Sequence, residues 1–498
     1  MISKASACVA TAALLFQGLS SAAATTGGCQ ALAAAGLSSQ IYYPADANYI
    51  AREASYWAAN APLSPLCIVQ PRNTAEVQKV VKAIAGSSGN FTVRSGGHGH
   101  WRGASDIHNG VTIDLGLFTD VTVDKKTMIA SIGPGPNWAT VFKTLEAQGA
   151  MVAGGRDGGV GIGGFLTGGG NSYYTGMQGF GADNVVNFEV VLADGRVVNA
   201  NAKTNSDLWK ALKGGSGNFG IVTRFDMQAF TAVPLWGGLS AAERKYGDTI
   251  ITELINFTNN NAKNPEDALI VNFTYNPGMF TEIVVAMVTV DVKGAVAPPA
   301  FEQIAKVPTV LADLTTRSMS NIATSYLLAP GSQNVWYSLT FRADRDIVSH
   351  IAALHDEMVA KLLTVLPAAD FTTQCLFQPI PAYIAQDRSN AKGGNVLGLD
   401  AVKDNALLWL ITAAVQTEEQ LAIITPYISE LSAASNAYAK AKGGAVDWVY
   451  LNYADGSQNP LASYGAKNVK FMKDVAKKYD PKAIFQNKVT GAFRLNRI

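Results

Sequence analysis

From Thr74 the apolar residues Val77, Val80, Val81 and Ile84 recur at intervals of three and four, the spacing of one helical face. Gly86 to Gly89 ends that helix, Phe91-Thr92-Val93-Arg94 reads as a strand, and Gly96-Gly97 turns the chain. Val111 to Leu115 and Met128 to Ile132 predict further strands. Trp138, Val141, Phe142 and Leu145 predict a second helix, with Gly149 placed to cap it. Val185 to Val198 reads as a hairpin turning at Asp194-Gly195. The opening part of the chain is therefore mixed α and β.

Near Phe230 the glycine-rich texture gives way to longer helix and strand patterns, with strands expected at Asp267 to Tyr275 and Leu407 to Val415. Towards the C-terminus Tyr450-Leu451-Asn452-Tyr453 has a strand's alternation. Val469, Met472 and Val475 mark an amphipathic helix stopped at Asp480-Pro481. The expected fold class is α+β, with a leader over 1–24, a first domain over 25–235, a second over 236–447, and a closing segment over 448–498.

A chain of 498 residues with 48% hydrophobic and 15% charged positions has the interior of a globular protein of roughly two to three domains. A net charge of +1 gives no electrostatic reason to expect nucleic acid or an anionic membrane as partner. Lys4, the apolar run Ala5 to Leu19 and the small residues up to Ala24 are the parts of a secretory signal peptide. Secretion changes how the cysteines read. Cys29 and Cys67, nearest in sequence, are expected to pair, which leaves Cys375 as a buried free thiol. Asn90, Asn256 and Asn272 each begin a glycosylation sequon.

Two glycine-rich loops carry the candidate chemistry. The first is Arg94-Ser95-Gly96-Gly97-His98-Gly99-His100, directly after a strand; the second runs from Gly154 through Arg156, Asp157, Gly159, Val160, Gly163 and Gly164 to Gly168-Gly169-Gly170. Glycine lets consecutive backbone N–H groups approach and face a phosphate. No Gly-Lys-Ser/Thr follows, so neither loop is a Walker P-loop, and neither has the setting of a Rossmann unit. His98 and His100 show no further ligands at metal spacing, and no metal site is assigned.

The run from Cys67-Ile68-Val69-Gln70-Pro71 to Ile221-Val222-Thr223 resembles the FAD-binding domain of the vanillyl-alcohol oxidase/p-cresol methylhydroxylase flavoproteins, and more narrowly the berberine-bridge-enzyme-like branch. The two glycine loops, Asp183-Asn184-Val185, the stretch Gly214 to Thr223, and the closing Tyr450 to Tyr453 and Asp480 to Asn487 carry the likeness, in the branch's order. The resemblance implies a two-subdomain FAD-binding domain of the PCMH type with its core over about 63–234, a substrate domain built on an antiparallel sheet covered by helices, and a closing segment over 448–498 that returns to the FAD-binding domain.

It also implies FAD bonded to His98 and cradled by Arg94, Ser95, Gly96, Gly97, Gly99, Gly159, Val160, Gly163, Gly164, Gly168, Gly169, Asn184, Gly220, Ile221 and Val222, with Tyr450 and Asn452 in support. Asp157 stands where many members carry a cysteine for a second flavin bond, so a single link is expected, and oligosaccharide substrates do not transfer. Asp157 either contacts the flavin ring or serves as a turn residue.

In the branch the second tyrosine of Tyr-x-Asn-Tyr often takes the substrate's proton, which points to Tyr453. A phenol acting near neutrality needs a cation or donors beside it, and the sequence does not reveal which. If the motif is a strand, Tyr450 and Asn452 share one face and Tyr453 lies on the other. Gln378 opens a stretch resembling the branch's active-site strand, and Asp400 is a loose candidate for a base or a solvated loop acid. The implied activity is oxidation of a small-molecule alcohol or amine, such as a secondary metabolite, by a secreted monomer with O2 as partner. A carbohydrate oxidase, an oxidative cyclase and a non-catalytic secreted flavin-fold protein stand as alternatives.

Overall fold

A computed structural model describes residues 27–498; the expected leader lies outside the described residues. Strands β1 (Ile41–Tyr42), β2 (Cys67–Val69), β3 (Phe91–Arg94) and β4 (Val111–Asp114) form one sheet in the order β1-β2-β4-β3. β2 and β3 both run parallel to β4. Two parallel strands need a crossover, and the helix Thr74–Ala85 supplies one, laying Val77, Val80, Val81 and Ile84 on the sheet. Cys29 and Cys67 are disulfide-bonded, tying the helix Gly27–Leu32 to β2.

A second sheet is antiparallel: β5 (Val121–Asp124), β6 (Ile129–Ile132), β8 (Val185–Val191), β9 (Val197–Asn201) and β10 (Ile221–Gln228), in the order β5-β6-β10-β8-β9. The short strands β7 (Ala150–Met151) and β11 (Phe230–Thr231) pair beside it. β8 and β9 are the expected hairpin, with Gly195 in the left-handed region at φ +78°. The helix Trp138–Glu146 buries Trp138, Val141, Phe142 and Leu145 in the adjoining core.

The third sheet has eight antiparallel strands: β12 (Leu235–Glu243), β13 (Asp267–Tyr275), β14 (Val284–Asp291), β15 (Leu311–Arg317), β16 (Gln333–Arg342), β17 (Phe371–Ile380), β18 (Ala406–Val415) and β19 (Ala445–Val446). Its residues alternate between two environments. Leu269, Val271 and Phe273 on β13, Cys375 and Phe377 on β17, and Trp409 on β18 pack beneath the helices Gly247–Asn260, Arg345–Leu362 and Glu418–Ala441. Cys375 is thus a free thiol buried on the helix side, and that burial pushes it up to about 12. The intervening residues, among them Asn272, Gln374 and Gln378, face a cavity.

That placement corrects one expectation. Asn272 sits mid-strand on the cavity face, so its sequon is not available as a surface glycosylation site in the folded chain. The C-terminal segment returns to the first sheet: Phe485 and Val489 join its core, and Phe91 N–H donates to the Lys488 carbonyl over 2.9 Å. No helix among the described residues is long and apolar enough to cross a membrane.

Candidate active site

The Ser95–His98 loop leaves the carboxyl end of β3, where parallel sheets present their loops to ligands. It meets the second glycine loop backbone to backbone. A Cβ on Gly96 would lie 2.5 Å from the Gly161 Cα, and the converse holds for Gly161. Ser95 Oγ accepts from Gly163 N–H at 3.1 Å and donates to the Pro134 carbonyl at 2.5 Å, fastening the loops together. Both open onto a cavity of about 550 Å³ lined by Ser95, Gly96, Gly97, His98 and Gly99 on one side and Val160, Gly163 and Gly164 on the other. Asp157, Gly220, Ile221, Val222, Tyr450, Asn452 and Tyr453 also line it.

The imidazole of His98 stacks on Trp57 with ring centres 4.5 Å apart and planes 13° apart. Its Nε2 is buried without a hydrogen-bond partner. Burial holds His98 below the usual histidine range, against the pull of the Asp157 charge, so the ring is kept neutral. His100 is pushed down to about 3 by burial and by His98, and stacks on Trp336 at 4.7 Å. An orphaned ring nitrogen beside a close-packed glycine cradle suits FAD.

The Tyr450–Tyr453 segment is not a strand. Tyr450 is extended, but Leu451–Tyr453 is a turn of 3₁₀ helix, so Tyr450, Asn452 and Tyr453 converge instead of alternating. Tyr450 and Tyr453 meet edge to face at 4.8 Å. Tyr450 Oη accepts from Asn171 N–H at 2.7 Å and from the Asn452 amide at 3.0 Å. The Tyr453 oxygen accepts from the Arg156 guanidinium at 2.6 Å, and the same nitrogen donates to Gln378 Oε1 at 2.5 Å. Arg156 is thus the cation beside the phenol, a neighbour that the sequence does not name. Only its place in a glycine tract hinted at it.

Five expected cofactor residues stand apart from the cavity wall. Arg94 turns away, donating to the Arg52 carbonyl and Ser55 Oγ and lying 3.7 Å over the Tyr56 ring, and its guanidinium fills the space that a side chain on Gly97 would need. Gly159 donates to Asp157 Oδ1 and closes a turn. A side chain at Gly168 would collide with Asn452 Oδ1, and Gly169 takes a φ of +119° against Leu397 and Tyr450; both make room for the residues that do reach the cavity. Asn184 spends its amide on the Gln178 and Phe180 carbonyls and accepts from Lys392. Asp400 lies exposed in the turn Leu399–Ala401, away from the cavity.

Asp157 is bound at both oxygens. Oδ1 accepts from Gly159 N–H at 2.7 Å and Oδ2 from Leu328 N–H at 3.0 Å, so it clasps the second glycine loop to the chain beside the large sheet. Trp57 Nε1 donates to the Leu328 carbonyl at 2.9 Å and completes the clasp. Sequence reasoning also missed Trp57, Tyr173 and Trp336. Burial pushes Tyr173 up to about 12, which suits it to the cavity wall as a neutral phenol.

Residues 65–201 match the FAD binding domain family. The chain is 32% identical over 476 residues to the FAD-dependent monooxygenase drtC of Aspergillus calidoustus, covering 94% of this chain and 90% of that protein. It is 33% identical over 493 residues to the FAD-dependent monooxygenase FUP4 of Fusarium proliferatum, covering 94% of each. Among solved structures, 6-hydroxy-D-nicotine oxidase from Arthrobacter nicotinovorans superposes with a TM-score of 0.74 at 20% identity, over 90% of this chain and 96% of that one. Glucooligosaccharide oxidase from Acremonium strictum, whose FAD is 6-S-cysteinyl and 8α-N1-histidyl, gives 0.74 at 19% identity over 94% and 99%.

Proposed function

The chain belongs to the FAD-linked oxidoreductases of the vanillyl-alcohol oxidase/p-cresol methylhydroxylase type, in their berberine-bridge-enzyme-like branch, and on that premise we propose a secreted oxidase with FAD singly bonded to His98. Its substrate is a small alcohol or amine, and O2 is the acceptor, giving H2O2. The observation that carries the reading is the triangle of Arg156, Tyr453 and Gln378 in the same cavity as His98.

The loops at Ser95–Gly99 and Val160–Gly164 would hold the cofactor, and His98 would tether it through a neutral ring nitrogen. When bound, the flavin accepts a hydride from a substrate carbon. The proton work belongs to the chain. Tyr453 takes the proton from the substrate's hydroxyl or amine. Arg156 holds negative charge on that phenol oxygen through a charge-assisted hydrogen bond. Arg156 also fixes the Gln378 amide: a guanidinium only donates, so Gln378 turns its oxygen to Arg156 and its NH2 away. Trp336 and Tyr173 supply apolar surface that excludes water from the reacting atoms, and Trp57 backs the His98 ring.

The test is to denature the purified protein in acid and map the flavin-bearing peptide. Colour in the pellet on a peptide containing His98 supports the tether. Free flavin, or a modified peptide without His98, refutes it. The names of the relatives favour one second reading, a monooxygenase. Turnover under 18O2 separates the two, since label in the product marks oxygen insertion and unlabelled product with equimolar H2O2 marks an oxidase.

A further inference from the structure

Three central strands of the large sheet present a patterned surface to the cavity. Thr274 on β13 lies opposite Gln374 on β17, which lies opposite Thr412 on β18, giving a polar row across the strands. The adjoining row is Asn272, Leu376 and Leu410. Two residues further along β17 stands Gln378, beside Tyr453 and Arg156. All seven of the strand residues line the cavity once Gln378 is counted with both rows.

Two polar ends on this surface are buried and unpaired: the Gln378 Nε2 and the Asn272 Oδ1. Gln378 is 1% exposed, and its amide direction is set by Arg156, so it offers a donor with no partner in the protein. A buried polar group left unsatisfied is costly, so both positions call for a partner. The apolar Leu376 adjoins both, opposite Asn272 and two residues before Gln378, with Leu410 beyond it on β18. Asn272 and Gln378 sit one strand apart and two residues along, which places them about 8 Å from each other.

The charges on the wall are already committed. Among the described residues its charged side chains are Arg156, Asp157 and Arg494. Arg156 holds Gln378 and Tyr453, Asp157 holds two backbone N–H groups, and Arg494 holds the Gly491 and Gly217 carbonyls. No carboxylate is left for an ammonium. The polar groups stand in two separated places on an apolar floor, whereas a sugar ring offers hydroxyls all round.

Resting on the oxidoreductase reading above, we infer that the site takes an uncharged, mainly apolar alcohol that carries a second oxygen about 8 Å from its reacting hydroxyl. Its reacting hydroxyl sits at Tyr453 and Gln378. A second oxygen on the far edge is held by Asn272, with the Thr274–Gln374–Thr412 row behind it.

The test measures binding to the flavin-loaded protein under anaerobic conditions, using 2,6-dihydroxynaphthalene and 2-naphthol, which lack a carbinol carbon to oxidise. The doubly oxygenated probe should bind about tenfold more tightly, the worth of one added hydrogen bond. Asn272→Leu should bring the two affinities together while leaving 2-naphthol unchanged. Gln374→Leu gives a second reading of the same effect, with flavin content and melting temperature reporting correct folding. Equal affinities in the native protein, meaning that water alone serves the two amides, would overturn the inference. So would an equal loss of both probes in Asn272→Leu, or tighter binding of cellobiose or 2-naphthylmethylamine. Failure of the oxidoreductase reading looks different: the probes would bind as expected, yet aryl alcohols would leave the flavin absorption unbleached.

Discussion

Arg156 and Tyr453 lie 297 residues apart in the chain, and the guanidinium of one donates to the phenol oxygen of the other across 2.6 Å. That contact joins a glycine loop of the cofactor side to the closing segment. Replacing Arg156 with Met should slow anaerobic bleaching of the flavin by about a hundredfold, the usual worth of a charge-stabilising donor. Arg156→Lys should recover only part of the rate, because an ammonium on a flexible stem lacks the fixed planar geometry with which one guanidinium nitrogen serves Tyr453 and Gln378. Stopped-flow absorbance reads both, and native rates in Arg156→Met would remove the role.

Tyr453→Phe keeps the ring contacts with Tyr450 and Trp336 but removes the oxygen. Flavin reduction should fall by about two to four orders of magnitude, with flavin content unchanged. A fall in flavin content instead would reassign Tyr453 to cofactor packing.

His98→Ala should leave flavin that separates into the supernatant on acid precipitation, where the native protein keeps it. The stack with Trp57 would also be lost, so folding is checked by the melting transition. In-gel fluorescence of the denatured chain gives the answer directly, and a fluorescent variant band would place the tether elsewhere.

The Cys29–Cys67 disulfide closes a span of 38 residues. Replacing both with Ser should lower stability by about 4 kcal/mol on the chain-entropy account. Urea unfolding of native and double-variant protein measures the difference, and an unchanged midpoint would show that the helix Gly27–Leu32 docks without the bond.

Burial, with Asp291 alongside, pushes Asp267 up to about 8. An unfolded carboxyl titrates near 4, so between about pH 4 and 8 the folded state holds a proton that the unfolded chain has released. Stability from this group is complete at the acid end and is lost as pH rises through about 8. His355 runs the other way: burial pushes it down to about 3, so its contribution is present above about 6.5 and lost as pH falls. Asp267→Asn should therefore gain on the native protein as pH rises from about 5 to 8. Urea midpoints across that range test it, and a pH-independent difference would refute it.

Local pattern was enough for the helix at Thr74–Ala85, the strands Phe91–Arg94 and Asp267–Tyr275, and the hairpin of β8 and β9, because each rests on periodicity and a turn within its own residues. Cys29 and Cys67 were legible as the nearest pair. Tyr450 to Tyr453 misled, since four residues of alternating size fit a strand as well as a turn, and only Asn171 and Arg156, far off in sequence, decide between them. Arg94 misled for the opposite reason: it adjoins the glycine loop, but β3 sends its side chain to the other face. Arg156 carried no local signal beyond its place in a glycine tract, because its partners Gln378 and Tyr453 come from other parts of the chain.

The clasp made by Asp157 has a price for chemistry at that position. In branch members with two flavin bonds, the equivalent side chain is a thiol consumed by the cofactor. Here the same Cβ carries a carboxylate consumed by the Gly159 and Leu328 backbone. The two uses exclude one another, so Asp157→Cys would trade a fastening between glycine loop and sheet for a second anchor on the ring. With the proposed bond to His98 as its one tether, a chain built on the first choice would leave its cofactor hinged at one point and its cavity wall locked.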